Sequence, residues 1–177
     1  MNLNKKGYML VEIIIASVLA MSIAYYLLNL TYKFKNTNED LYQNYHYMSD
    51  KILITKNIMN DLESGTISNI AYDTNSISFL LHISNEKSEI TQLRKLLVNK
   101  ENDKTTIQYG LYNSESNSFY KTDLSYYEKK LNHSLIIDNL IVKGYDDYNI
   151  NSVTIEIPIK SIYSDVSYTI KLFANKQ

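Results

Sequence analysis

An α+β fold is predicted, with a long N-terminal helix leading into a mainly antiparallel β-sheet head. Three features of the sequence predict it. Residues 8–30 are almost wholly apolar, and residues 31–64 keep apolar side chains at helical spacing. From residue 65 onward, short runs rich in β-branched and aromatic residues alternate with turn-forming clusters.

The apolar run has 23 residues, which as a helix is about 34 Å, enough to cross a hydrocarbon core of about 30 Å. Lys5 and Lys6 precede it, while Lys33 and Lys35 come after it, so basic residues alone nearly balance across the segment. Glu12 is the exception within the run. A carboxylate inside a membrane helix costs roughly 2.5–3.5 kcal/mol on insertion scales, and something must offset that cost.

Beyond the polar patch at residues 35–40, Leu41, Tyr45, Met48, Ile52, Met59 and Leu62 recur at spacings of three, four and seven. They predict an amphipathic continuation of the same helix with this stripe against the head. Gly65 is the expected C-cap. A helix over residues 8–63 would be about 84 Å long.

In the head, residues 66–72 and 76–83 read as strands joined by a turn at Asp73-Thr74-Asn75. Ile90, Leu93 and Leu97 have helical spacing, which predicts a short helix or irregular insertion over residues 85–103. Residues 105–112 and 118–123 flank Asn-Ser-Glu-Ser-Asn as a hairpin, and residues 124–133 read as a helical turn. Three closing strands are expected at 134–145, 152–159 and 166–174. Alternation of Val153, Ile155, Ile157 and Ile159 with polar residues buries one face of the second, and Pro158 argues for a sheet edge or strand end.

Composition removes several classes of function. The 177 residues carry 18 basic and 19 acidic side chains, a formal charge of −1, so there is no polycationic signature of nucleic-acid binding. Arg94 is the only arginine. Absence of cysteine excludes disulfides, thiolate metal sites and a cysteine nucleophile. His46, His82 and His133 lie in separate segments, and no metal-ligand pair or glycine-rich phosphate loop appears. Asp146 and Asp147 with Asn149 and Asn151 offer oxygen ligands for a cation, but the spacing lacks a calcium loop's glycine and closing glutamate, which favours a solvated loop. The tyrosine-rich stretches Ser125–Lys130 and Gly144–Tyr148 suit core packing and sheet edges as well as a ligand platform. No catalytic constellation, cofactor site or metal site is expected.

Three readings of the N-terminus compete. It is a signal-anchor with Glu12 near the interface. It is a secretory signal cut after Ala24, where Ser22-Ile23-Ala24 has suitable small residues, although that cut would leave an apolar new terminus. In the third, the basic residues, Gly7, Tyr8 and Glu12, within "GYMLVEIIIASVLAMSI", form a specific motif. This stretch resembles the class III leader of type IV pilins and type II secretion pseudopilins, which usually carry Phe where this chain has Tyr8 and often Thr where it has Met9. Residues 106–124, 135–146, 153–159 and 168–176 are similar to the C-terminal half of J-type minor pseudopilins, with Lys121 and Asn175 where that group has Arg.

The resemblance implies a pilin fold and a structural subunit rather than an enzyme. Lys5 and Lys6 would hold the leader in the cytoplasm. Prepilin peptidase would cut between Gly7 and Tyr8, and the new amine of Tyr8 would be N-methylated. Glu12 would neutralise the terminal amine of a neighbouring subunit on assembly. The implied domains are a leader at 1–7, a membrane and filament-core segment at 8–30, its amphipathic continuation at 31–64, and a head at 65–177. Implied partners are membrane lipid before assembly, the peptidase, the inner-membrane assembly platform and other major and minor pilin subunits, with nucleic acid unexpected. Implied locations are the cytoplasmic membrane, with the head extracytoplasmic, and then an extracellular pilus or pseudopilus. No proline interrupts the first helix, unlike many major subunits of the family, which favours a minor subunit. The rival reading is an anchored adhesin or sensor domain that enters no filament, and a membrane-bound enzyme is a distant third.

Overall fold

The computed structural model describes residues 3–85, 88–101, 104–132, 135–145, 151–162 and 167–177. Helix α1 (Leu3–Leu62) runs uninterrupted for 60 residues. Ten strands among the described residues come after it: β1 (Thr66–Asp73), β2 (Ser76–Asn85), β3 (Ser88–Glu101), β4 (Lys104–Asn113), β5 (Ser118–Phe119), β6 (Tyr127–Lys130), β7 (Leu135–Ile137), β8 (Ile141–Lys143), β9 (Ser152–Ser161) and β10 (Ser167–Lys176). The protein is therefore α+β, with a helix and a sheet head. The chain divides into two compact units, Met1–Tyr45 and His46–Gln177.

The first unit is helix alone. Side chains 8–29 are exposed without exception, and the helix contains a stretch long and apolar enough to cross a membrane. Its serine and threonine hydroxyls are satisfied locally. Ser17 Oγ donates to Ile14 O, Ser22 Oγ to Val18 O and Thr31 Oγ1 to Leu27 O, each at 2.8 Å. These bonds lower the cost of placing such groups in an apolar medium.

In the second unit, Tyr47, Ile54, Ile58 and Leu62 bury against the inner face of a sheet ordered β5-β4-β3-β2-β1-β10-β9-β7. Among the described residues, only β1 and β10 pair in parallel, and every other ladder is antiparallel. Both outer edges are split into short pieces. β4 pairs with β6 and then β5, while β9 pairs with β8 and then β7. Short edges offer little template for unwanted strand addition. β7 also comes close to β4, so the two ends of the sheet curl toward each other, and Leu131 N–H donates to Thr105 O at 2.9 Å, extending the β4–β6 pairing by one residue.

Several local expectations are corrected. The buried stripe is Tyr47, Asp50, Ile54, Ile58 and Leu62, whereas Leu41, Tyr45, Met48 and Ile52 are exposed. Two apolar stripes exist, and Asp50 interrupts the one that packs. Residues 88–101 form β3 rather than a helix or insertion: Arg94, Leu96 and Val98 face inward at period two. The charge of Arg94 masks that alternation in the sequence. Residues 127–130 form β6, not a helical turn, with Lys129 turned toward Asp50. The expected strand over 134–145 is broken between β7 and β8.

Pro158 sits inside β9 with neighbours on both sides, not at an edge or end. Its carbonyl accepts from Asp138 N–H at 2.9 Å. The side on which it lacks a donor faces the break between β7 and β8, where no ladder bond is lost. Gly65 is not a left-handed cap, because only Gly110 and Gly144 among the described glycines have positive φ. Glycine is needed there for another reason: an added Cβ would lie 2.1 Å from the His82 carbonyl oxygen.

Candidate functional site

The processing and assembly residues all lie on α1. Lys5, Lys6 and Gly7 belong to its first turns, Tyr8 is 75 % exposed, and Glu12 comes four residues later, one helical turn along the same face. Among the described residues, no hydrogen bond or ion pair engages the Glu12 carboxylate. Its surroundings on the helix are apolar and exposed: Met9, Ile13 and Ile15 at 65, 62 and 54 %. The arrangement is an unpaired acid within an uncovered apolar surface.

The second unit exposes apolar side chains of its own on the helix. Met48 and Ile52 project from the side of α1 away from the core, since Ile52 and Ile54 are two residues apart and so about 200° around the helix. One face of this segment holds the head, and the other leaves an apolar stripe uncovered.

The head contains charged clusters that sequence reasoning did not identify. Asp61 on the last turn of α1 accepts from Arg94 Nε at 2.8 Å, from Arg94 Nη2 at 3.1 Å and from the Tyr109 hydroxyl at 2.7 Å. Burial, followed by the Asp61 charge, pushes the Tyr109 hydroxyl well above the usual tyrosine range. Earlier on the same helix, buried Asp50 pairs with Lys129 Nζ at 3.0 Å, and burial next to that acid raises Tyr127 to about 12. The one available signal was that the chain's only arginine falls in a strand-length apolar segment.

On the outer sheet face, Glu156 is bound by Lys143 Nζ at 2.8 Å and lies 3.6 Å from Lys171 Nζ. The Lys143 hydrogen bond holds its carboxyl below the usual range. His82 Nε2 lies 2.6 Å from Ser68 Oγ and its Nδ1 lies 3.0 Å from Thr91 Oγ1. Glu89 stands farther off, 3.9 Å from Nδ1. Hydroxyls thus occupy both ring nitrogens, and the three side chains join β1, β2 and β3. His133 and the acidic loop at Asp146, Asp147 and Asn149 lie outside the described residues. Among the described residues, no group of three or more histidine or acidic side chains is placed to hold a metal.

No family model, curated protein or solved structure matches the chain.

Proposed function

We propose that this chain is a minor pilin or pseudopilin, a structural subunit made as a single-pass membrane precursor. Prepilin peptidase removes residues 1–7, the amine of Tyr8 is methylated, and the subunit passes from the cytoplasmic membrane into a short or tip-located filament through an inner-membrane assembly platform. Its head lies outside the cytoplasm. Residues 13–30 serve first in lipid and then in the filament core, among the helices of other major and minor subunits.

The observation that carries this reading is Glu12, an unpaired carboxylate on an exposed apolar helix. A buried charge left without a counter-ion costs several kcal/mol, and most of that is recovered when a partner is supplied. Cleavage after Gly7 creates the counter-ion, a terminal ammonium, and a neighbouring subunit brings it to Glu12. The exposed stripe through Met48 and Ile52 supports the same reading, because assembly would give it helical neighbours.

Co-expression of the full chain with a prepilin peptidase, followed by intact mass and N-terminal sequencing, tests it. The expected product begins at Tyr8 and carries one methyl group. An uncut chain, or one beginning at Tyr25, overturns the reading and leaves an anchored head. The Glu12→Ala variant is expected to be cleaved normally but incorporated less into filaments; undiminished incorporation overturns the charge-pairing role.

A further inference from the structure

The outer face of β3, β4 and β6 carries a groove of about 460 Å³ that neither the helix nor the core uses. The strand register builds it. Thr106 pairs with Asn99 on one side and Lys130 on the other, Gln108 stands opposite Glu128, and Lys104 opposite Glu101. The intervening residues Thr105, Ile107 and Tyr109 are buried toward α1, so strand alternation turns the groove residues outward. Its volume lies within the range of small-molecule sites, roughly 300–1,000 Å³.

The lining chemistry is selective. Among the described residues, two carboxylates and two ammonium groups cancel, so these give no net attraction to a polyanion or a polycation. No large apolar side chain among the described residues lines it, which disfavours a lipid tail. The remaining groups, two amides and a threonine hydroxyl, can each donate and accept hydrogen bonds. Adjacent hydroxyls of a sugar ring do the same.

These groups are also ordered in advance. Asn99 Nδ2 donates to Gln108 Oε1 at 3.0 Å, and Gln108 Nε2 lies 3.5 Å from the Tyr126 hydroxyl. Tyr126 in turn donates to the Glu128 carboxylate. Tyr126 is itself held by Phe119, with ring centroids 5.8 Å apart, and by Gly110, where a Cβ would come within 3.0 Å of the Tyr126 backbone. Its hydroxyl therefore reaches Gln108 and Glu128 from behind the groove and holds both in place. A second cavity of about 240 Å³ shares Glu101 and Lys104 and is lined also by Ile137 and Asp138 at the end of β7, so the surface suits a chain longer than one ring.

We propose that this groove is a binding site for a neutral oligosaccharide. Asn99, Thr106 and Gln108 contact its hydroxyls, Glu128 and Lys130 cap their hydrogen bonds, and the Tyr126 hydroxyl keeps Gln108 and Glu128 in position. Pre-ordered side chains reduce the entropy lost on binding. The proposal stands whether or not the chain is processed at Gly7.

The test uses the full chain in phosphocholine micelles, which contain no sugar headgroup. Cellohexaose, chitohexaose and maltohexaose are titrated while amide shifts are followed by NMR, with a heparin hexasaccharide as the polyanionic probe. The expected result is saturable shifts at Asn99, Thr106, Gln108 and Glu128 with at least one neutral hexasaccharide. Gln108→Leu should weaken that binding at least about tenfold, the scale of one lost hydrogen-bonding side chain. Thr169→Ala, on β10, should leave it unchanged. If Gln108→Leu fails to fold, Asn99→Ala provides the same comparison. The proposal is overturned if no neutral hexasaccharide saturates at millimolar concentrations, if heparin binds more tightly than all three, or if the folded groove variant binds as well as the parent.

Discussion

Arg94 on β3 grips Asp61 on α1 through two hydrogen bonds, of 2.8 Å from Nε and 3.1 Å from Nη2. Side-chain exposures of only 4 and 13 % place this two-pronged pair largely out of water, and the Tyr109 hydroxyl adds a third donor to the same carboxylate. The last helical turn is thereby fixed to the middle of the sheet, with planar recognition that a lysine would not reproduce.

Removing one partner strands the other. Arg94→Leu or Asp61→Leu is expected to destabilise the head by about 3–5 kcal/mol. The double variant Arg94→Leu/Asp61→Leu should recover part of that loss, because no buried charge is left unpaired. Denaturant unfolding of the full chain in micelles measures both effects, and additive single losses would contradict the pairing.

The helix is held mainly by its apolar stripe. Ile54 is fully buried, so Ile54→Ala should cost about 2–5 kcal/mol through lost transfer energy and a residual cavity. Ile52→Ala, on the exposed side of the same helix, should change head stability by no more than about 0.5 kcal/mol. The same unfolding experiment compares them.

Gly65 is a matter of space rather than of backbone freedom. A methyl group there would collide with the His82 backbone. Gly65→Ala should therefore shift β1 away from β2 and cost about 1–3 kcal/mol, as overpacking does. Hydrogen exchange at the start of β1 would register the change, with lower protection expected around Thr66 and Ile67.

Acid should weaken the head through Glu156. Its carboxyl titrates below the ordinary 4.5 because Lys143 hydrogen-bonds the ionised form, with Lys143 and Lys171 adding their charge. The unfolded chain thus takes up this proton at higher pH than the folded chain. The contribution is fully present above about 4.5 and lost as pH falls through the lower folded value. Glu128, held down by its Tyr126 hydrogen bond, and Asp123, held down by Ser125, act in the same direction. Thermal melts from neutral pH downward should show the parent's advantage over Glu156→Gln shrinking below pH 4.5. Both lysines are more than half exposed, so added salt should also reduce that advantage.

The fold class was legible because its signals are local. An apolar run and its helical continuation, then strand-length segments between turns, need no partner to be recognised. The errors cluster where a charged side chain faces the core. Asp50 concealed the buried helix face, Arg94 concealed the inward alternation of β3, and Lys129 concealed β6. A charge reads as solvent-facing until its counter-charge is known, and each counter-charge here lies on a distant segment. The sugar-sized groove was hidden for a related reason, since its lining comes from three strands whose register no single segment specifies.

The sequence by itself determined the long apolar helix, the acid placed within it and the β-rich character of residues 65–177, because these depend on periods of 3.6 and 2 along the chain. Tertiary structure alone decided which helix face packs, which acids meet which bases and which polar residues share an outer surface. Those outcomes turn on strand order and register, and they are set by the competition to bury apolar area without leaving a charge unpaired.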